Sequence, residues 1–212
     1  MSSVAVIDYG MGNLHSIAKA LQRVAPESTI RVSGDPATIL QADRVVFPGV
    51  GAIRDCMAQI KHHNLIEAIL GAAQNKPFLG ICLGLQALLE SSEESGGTQC
   101  LGLFKGRVVR FENPPNATDR LKIPHMGWNN VLQAGDHALW AGIPQSSRFY
   151  FVHSYYAALA DPANSAASAE YPQAFTCALA RNNLFAVQFH PEKSQTVGLQ
   201  LLRNFSRWDG NP

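Results

Sequence analysis

The feature that most limits how this chain can fold is a recurring unit. A short apolar run stops at turn residues and is followed by a helical pattern. Val4-Ala-Val-Ile7 ends at Asp8-Tyr-Gly-Met-Gly12, Arg44-Val-Val-Phe47 at Pro48-Gly-Val-Gly51, and Pro77-Phe-Leu-Gly-Ile81 at Cys82. Strands buried on both faces read as such unbroken runs, and helices between them allow parallel pairing. After the first run, Leu14, Ile17, Ala18, Leu21 and Val24 recur at helical spacing, with Asn13 placed to cap them. Residues 29–32 form a further strand, and helical patterns cover 53–60, 65–72 and 83–90.

The second half changes character. Strand patterns cover 104–111, 129–132, 148–156 and 175–180 with few helices between them. Arg181-Asn-Asn183 is a hairpin turn leading into a strand over 184–189. Ser194 is placed to cap a last helix carrying Val197, Leu201, Leu202, Phe205 and Trp208. Residues 161–169 (DPANSAASA) read as a surface loop. With no repeat and no linker, the expectation is a single domain over 1–212. Its class is α/β, with a mostly parallel central sheet, helices on both faces and an antiparallel extension in the second half.

Composition removes whole classes of function. At 46% hydrophobic, and with 17 basic against 16 acidic residues, the 212-residue chain carries a net charge of +1. That is no field for polyphosphate, so neither nucleic acid nor a membrane surface is an expected partner. A chain of this length buries roughly 70% of its unfolded surface, enough for a core without staples. The longest uncharged apolar stretch, 77–89, is too short to span a bilayer. No basic segment precedes an apolar run at the N-terminus, which points to a cytoplasmic protein. Cys56, Cys82, Cys100 and Cys177 share no CxxC spacing and no clustered histidines, so no metal is expected.

Chemistry concentrates at two places. Gly80-Ile-Cys82-Leu-Gly84 lies between an apolar strand and a helix, the G-x-nucleophile-x-G elbow with sulfur as nucleophile. The turn would set Cys82 at a helix N-terminus, which favours thiolate. The structural alternative is a buried cysteine between packing glycines. His190-Pro-Glu192 follows the strand 184–189 directly, so that both Cys82 and His190 fall at carboxyl ends of strands, where open α/β sheets place their sites. A carboxylate two residues on can hold the imidazole in one tautomer, completing the acyl-transfer set of thiol, base and orienting acid. His15, His62, His63 and His137 lack such a setting and read as core histidines. The Leu83 amide and the loop 48–51 are candidate oxyanion donors.

These residues carry a resemblance. Gly80-Ile-Cys-Leu-Gly-Leu-Gln86 with His190-Pro-Glu192 resembles the class I, triad-type glutamine amidotransferases. Asp8-Tyr-Gly-Met-Gly-Asn13, Pro48-Gly-Val-Gly51, Ser92-Glu-Glu-Ser95, Ile123-Pro-His-Met-Gly-Trp-Asn129, Phe149-Tyr-Phe-Val-His-Ser-Tyr155 and Gln188-Phe-His-Pro-Glu-Lys-Ser194 extend it over nearly the whole chain. Within the family, these match the glutaminase subunits of histidine biosynthesis. The resemblance implies a flavodoxin-like fold and a cofactor-free triad of Cys82, His190 and Glu192 that hydrolyses L-glutamine to glutamate and ammonia through a thioester. It implies oxyanion amides at Val50 and Leu83, and a substrate held by Gly49, Gly51, Gln86, Glu94, Ser154 and Tyr155. The resemblance also implies that the loop 48–51 can turn its amide away until a partner is engaged. All 212 residues are consumed by the glutaminase-type domain. Ammonia therefore needs an acceptor on a second chain, which the resemblance names as a (β/α)8-barrel cyclase subunit. Asn13, His125, Trp128 and Lys193 are the expected contact face; the competing reading of Trp128 is a core aromatic, and of Lys193 a solvated charge.

Three other readings compete. Triad glutaminases of anthranilate or pyridoxal phosphate synthesis would carry PGPG or GGES-type loops in place of 48–51. A cysteine hydrolase of the peptidase kind usually has histidine directly after the cysteine, where Leu83 stands. A flavodoxin-like binding module finds slight support in Gly10-Met-Gly12, but no third glycine completes a dinucleotide fingerprint.

Overall fold

The computed structural model describes residues 2–113 and 121–211. In its first half β1 (Ser3–Ile7), α1 (Leu14–Val24), β2 (Thr29–Ser33), α2 (Pro36–Gln41), β3 (Arg44–Gly49), α3 (Ile53–His62), α4 (Ile66–Asn75) and β4 (Phe78–Cys82) alternate as the apolar runs require. A single helical turn, α5 (Leu83–Gln86), leads into β5 (Leu89–Ser92), β6 (Thr98–Gln99) and β7 (Phe104–Arg110). Then come β8 (His125–Asn130), β9 (Leu132–Gln133), β10 (Arg148–His153), β11 (Tyr155–Leu159), β12 (Ser165–Glu170), β13 (Ala174–Arg181), β14 (Leu184–Val187) and α6 (Gln195–Arg207).

The main sheet runs β2-β1-β3-β4-β14-β13-β11-β7-β5-β6. Its first five strands are parallel in the flavodoxin-like order, and β13 then turns antiparallel to β14. The period-2 alternation of each strand divides the core into two layers. Val4, Val6, Leu79, Ile81, Phe185 and Val187 face α1 and α6, meeting Ile17, Leu21, Leu201 and Phe205. Ala5, Ile7, Val45, Phe47, Leu184 and Ala186 face α2, α3 and α4, meeting Ile39, Met57, Ile60 and Ile69. β8 and β10 form a separate antiparallel pair.

Several expectations fail for identifiable reasons. The helix over 83–90 stops after one turn, because Leu89–Ser92 leaves to pair with β7 and β6. The run 148–156 is two strands in different sheets, broken at Ser154. Residues 161–169 are not simply a surface loop. Their second part is β12, which pairs with β13 and buries Ala167 and Ala169. Asn13 sits at the start of α1 without a side-chain cap. His15, His62 and His63 are exposed rather than core, and His137 is half-buried.

Candidate active site

The carboxyl ends of β3, β4 and β14 converge on one crevice. Cys82 ends β4 with φ 54° and ψ −107°, the left-handed side of the map, and α5 begins at the next residue. A non-glycine residue held there costs about 1–3 kcal/mol, sustained here by buried strands on either side. The turn presses on β3 so closely that a Cβ on Gly84 would overlap the Phe47 carbonyl oxygen. Because α5 is only four residues long, its macrodipole is small. The electrostatic help available to the thiol comes from the free amides of the first turn, among them Leu83.

His190 is fixed from both sides. The His190 amide donates to the Tyr150 carbonyl at 2.9 Å. The Ser194 hydroxyl donates to the His190 carbonyl at 2.6 Å and accepts from the Tyr150 amide at 2.9 Å. Ser194 thus ties the His190 segment to β10 and does not cap α6 with its side chain. His190 Nδ1 lies 2.9 Å from Glu192 Oε1, with both side chains almost wholly buried. Its Nε2 is buried and has no hydrogen-bond partner, which leaves it open to exchange a proton with the facing thiol. Burial works against the charged ring, but the neighbouring Cys82 and Glu192 outweigh it and raise the pKa to about 10. Among the cysteines, burial pushes Cys56 up to about 12, Cys100 up to about 11 and Cys177 higher still, and none of these lines the crevice.

The crevice is a cavity of about 290 Å³ with Cys82 and His190 in its wall. Val50, Gly51 and Leu83 line it beside the thiol, and Gln86, Glu94, Ser154 and Tyr155 also line it. Glu94 Oε2 accepts the Ile53 amide at 2.9 Å, fixing its carboxylate against the start of α3. Gln86 Nε2 donates to the Tyr155 carbonyl at 3.0 Å and to Gln188 Oε1 at 3.1 Å, and Gln188 Nε2 reaches Cys82 Sγ at 3.7 Å. Gly49 is not part of the lining. It pairs with Cys82 and packs so close to Tyr9 that no side chain fits, while the Tyr9 hydroxyl donates to the Pro48 carbonyl at 2.9 Å.

The sequence does not single out Gln188, His153 or Tyr9, which the structure places in or beside the crevice. Strand alternation gave a signal for the first, since Gln188 stands two residues before His190 and so shares its face. Nothing in the sequence separates His153 from a structural histidine.

Of the expected contact residues, Asn13 is half-buried and Lys193 exposed, its ammonium 5.9 Å from the Tyr150 ring. Trp128 is 37% exposed and packs edge-on to Tyr150 at 6.1 Å, so it is no core aromatic. His125 is only 4% exposed. Its side chain stacks on Tyr171 and Phe151 inside the protein and offers no surface to another chain. Among the described residues no cluster could hold a metal ion, and no helix is long and apolar enough to cross a membrane.

A strained cysteine elbow, a buried histidine–carboxylate pair and a sheet in flavodoxin-like order thus meet at one crevice. The chain belongs to the family Glutamine amidotransferase class-I, whose model matches residues 5–207. It is 63% identical over 212 residues to the imidazole glycerol phosphate synthase subunit HisH of Methylococcus capsulatus, covering 99% of this chain and 98% of that one. The subunit of the same name from Nitrosococcus oceani is 58% identical over 210 residues, with 99% of each chain covered. Among solved structures, a glutamine amidotransferase superposes with a TM-score of 0.70 at 16% identity, over 95% of this chain and 96% of that one. Another, from Thermotoga maritima, gives 0.60 at 20% identity, over 90% and 76%. At such identities the likeness is one of fold.

Proposed function

We propose that the chain is the glutaminase subunit of imidazole glycerol phosphate synthase, and that it works through Cys82, His190 and Glu192. The observation that carries this reading is the buried, unpartnered His190 Nε2 facing the elbow thiol, with Nδ1 held by Glu192. Cys82 Sγ attacks the side-chain amide carbon of L-glutamine while the charge developing on oxygen is taken by the Leu83 and Val50 amides. The imidazolium gives its proton to the departing nitrogen, and ammonia leaves a thioester on Cys82. A water, deprotonated by His190, then attacks the thioester and releases glutamate. Glu94 suits the substrate's α-ammonium, and the Ser154–Tyr155 backbone takes its carboxylate end. Gln86 acts by holding the Tyr155 carbonyl, and Gly51 leaves room beside the oxyanion.

Ammonia freed in water at neutral pH is mostly protonated and no longer a nucleophile. It therefore has to be handed to a second chain seated over the crevice, here the (β/α)8-barrel cyclase subunit. Asn13, Trp128 and Lys193 form the docking face, joined by Met126, which is 66% exposed on the same side of β8 as Trp128. The chain is a single amidotransferase domain over 1–212, working in the cytoplasm.

The test is glutamate release from glutamine, by the chain alone and with the cyclase and its ribonucleotide ligand. Low activity alone and a large rise in the mixture are expected. High activity unchanged by the cyclase would discard the assignment to this synthase. Cys82→Ser should abolish release while leaving cyclase binding intact, and activity near wild type would remove Cys82 as nucleophile.

A further inference from the structure

A buried chain of hydrogen bonds crosses from β8 to the wall of the cavity. His153, which lines the cavity, has Nδ1 2.8 Å from the Tyr155 carbonyl oxygen. Its Nε2 lies 2.9 Å from His125 Nδ1, and His125 Nε2 lies 3.3 Å from Asn129 Nδ2. The Asn129 amide also donates to the Glu170 carbonyl at 2.9 Å, and its oxygen accepts the Asn130 amide at 2.8 Å, which fixes its orientation.

Every proton in this chain can be assigned. A carbonyl only accepts, so His153 Nδ1 carries hydrogen. Burial pushes His153 down to about 3 and His125 down to about 4, so both rings are neutral. His153 Nε2 is then an acceptor, His125 Nδ1 its donor, and His125 Nε2 accepts from Asn129. Phe111, Phe151, Tyr171 and Phe175 surround the pair, excluding the water that would otherwise solvate it.

The carbonyl so held stands where it needs holding. β10 ends at His153 and β11 starts at Tyr155 in another sheet, so the backbone turns at Ser154 between two ladders. The Phe111 amide holds the Ser154 carbonyl at 3.0 Å, and two side chains hold the next one: Gln86 and His153 both donate to the Tyr155 oxygen. We propose that His153, set in one tautomer by His125 and Asn129, is a positioning residue that holds the Ser154–Tyr155 backbone in register to receive the α-amino-acid end of the substrate. The inference rests on the glutaminase reading above. It assigns His153 to recognition of one end of the substrate and gives it no part in the chemistry at Cys82.

Two thiol reagents separate these roles in the complex with the cyclase. Iodoacetamide alkylates Cys82 without an α-amino-acid end; a chloromethyl ketone built on the glutamine skeleton carries one. In His153→Leu the half-saturating concentration of the ketone should rise about tenfold, the cost of one lost buried hydrogen bond, with iodoacetamide labelling unchanged. His153→Asn keeps a donor near the Nδ1 position and should restore most of the ketone's affinity. Should His153→Leu fail to fold, Asn129→Leu, which frees the His125 tautomer, should give a smaller shift in the same direction. A ketone half-saturation within twofold of wild type in the folded variants would overturn the proposal, as would equal slowing of both reagents. If the wild-type protein shows no saturation with the ketone at all, the glutaminase reading itself fails.

Discussion

Glu192→Gln removes the one charge that faces His190 Nδ1 while keeping the side chain's shape. The two groups are 2.9 Å apart, with side chains 2% and 0% exposed, so water screens little of their interaction. A hydrogen bond to a charged group is worth about 1.5–3 kcal/mol, and burial places this one at the upper end. With 1.36 kcal/mol per factor of ten, glutamate release should fall about a hundredfold or more. The amide oxygen can still accept from Nδ1, but a neutral group no longer offsets the charge of the imidazolium. The pH dependence follows in sign. In the wild-type chain Cys82 and Glu192 hold His190 protonated up to about 10 against burial. Without the carboxylate, burial weighs more and the ring loses its proton at lower pH. The alkaline limb of glutamate release should accordingly move to lower pH. Steady-state glutamate release with the cyclase, followed between pH 5 and 10, provides the check. A folded variant with less than a fivefold loss and an unmoved pH profile would refute Glu192 as the orienting acid.

Tyr9→Phe leaves the Pro48 carbonyl without its buried 2.9 Å donor. A stability loss of about 1–3 kcal/mol, or about 2–12 °C in Tm for a chain this size, should appear by calorimetry, with lower glutamate release because the loop 48–51 loses its anchor. Trp128→Ala should leave Tm within about 1 °C, since the ring lies outside both core layers, yet weaken binding of the cyclase by about tenfold or more in a titration.

The parallel half was legible because both faces of its strands are covered. Val4–Ile7 and Phe78–Cys82 need no pairing information to be recognised, and a strand-end cysteine between glycines and a strand-end His-Pro-Glu triplet are each a local signal. What escaped depends on partners far away in sequence. Ala87-Leu88-Leu89 has no period that says helix or strand, and only β7 decides it. β12 is serine and alanine up to its last residue, Glu170, all of weak strand preference, so β13 has to supply the ladder. His125 stands in a motif with Trp128 but alternates with it across β8. It is drawn inward by Phe111, Phe151 and Tyr171, none of them a sequence neighbour. The glutamine pair Gln86 and Gln188 is 102 residues apart and visible only once β4 and β14 lie side by side.

The division of labour across the sheet has a mechanical consequence. Under the proposed reading, the nucleophile ends β4 and the oxyanion amides directly follow β3 and β4, whereas the backbone cradle for the substrate hangs from β10 and β11 and is tied to β8 through His125. Under the proposed docking, Asn13 follows Gly12, whose backbone lies near that of Gly49, so pressure there reaches the oxyanion strand. Trp128 stands one residue from Asn129, so pressure on β8 reaches the cradle. A partner seated across both can therefore act on transition-state stabilisation and on substrate recognition through separate contacts. The two remain joined at the Tyr155 carbonyl, which His153 and Gln86 of α5 both reach, so loss of either contact should weaken the other function in part.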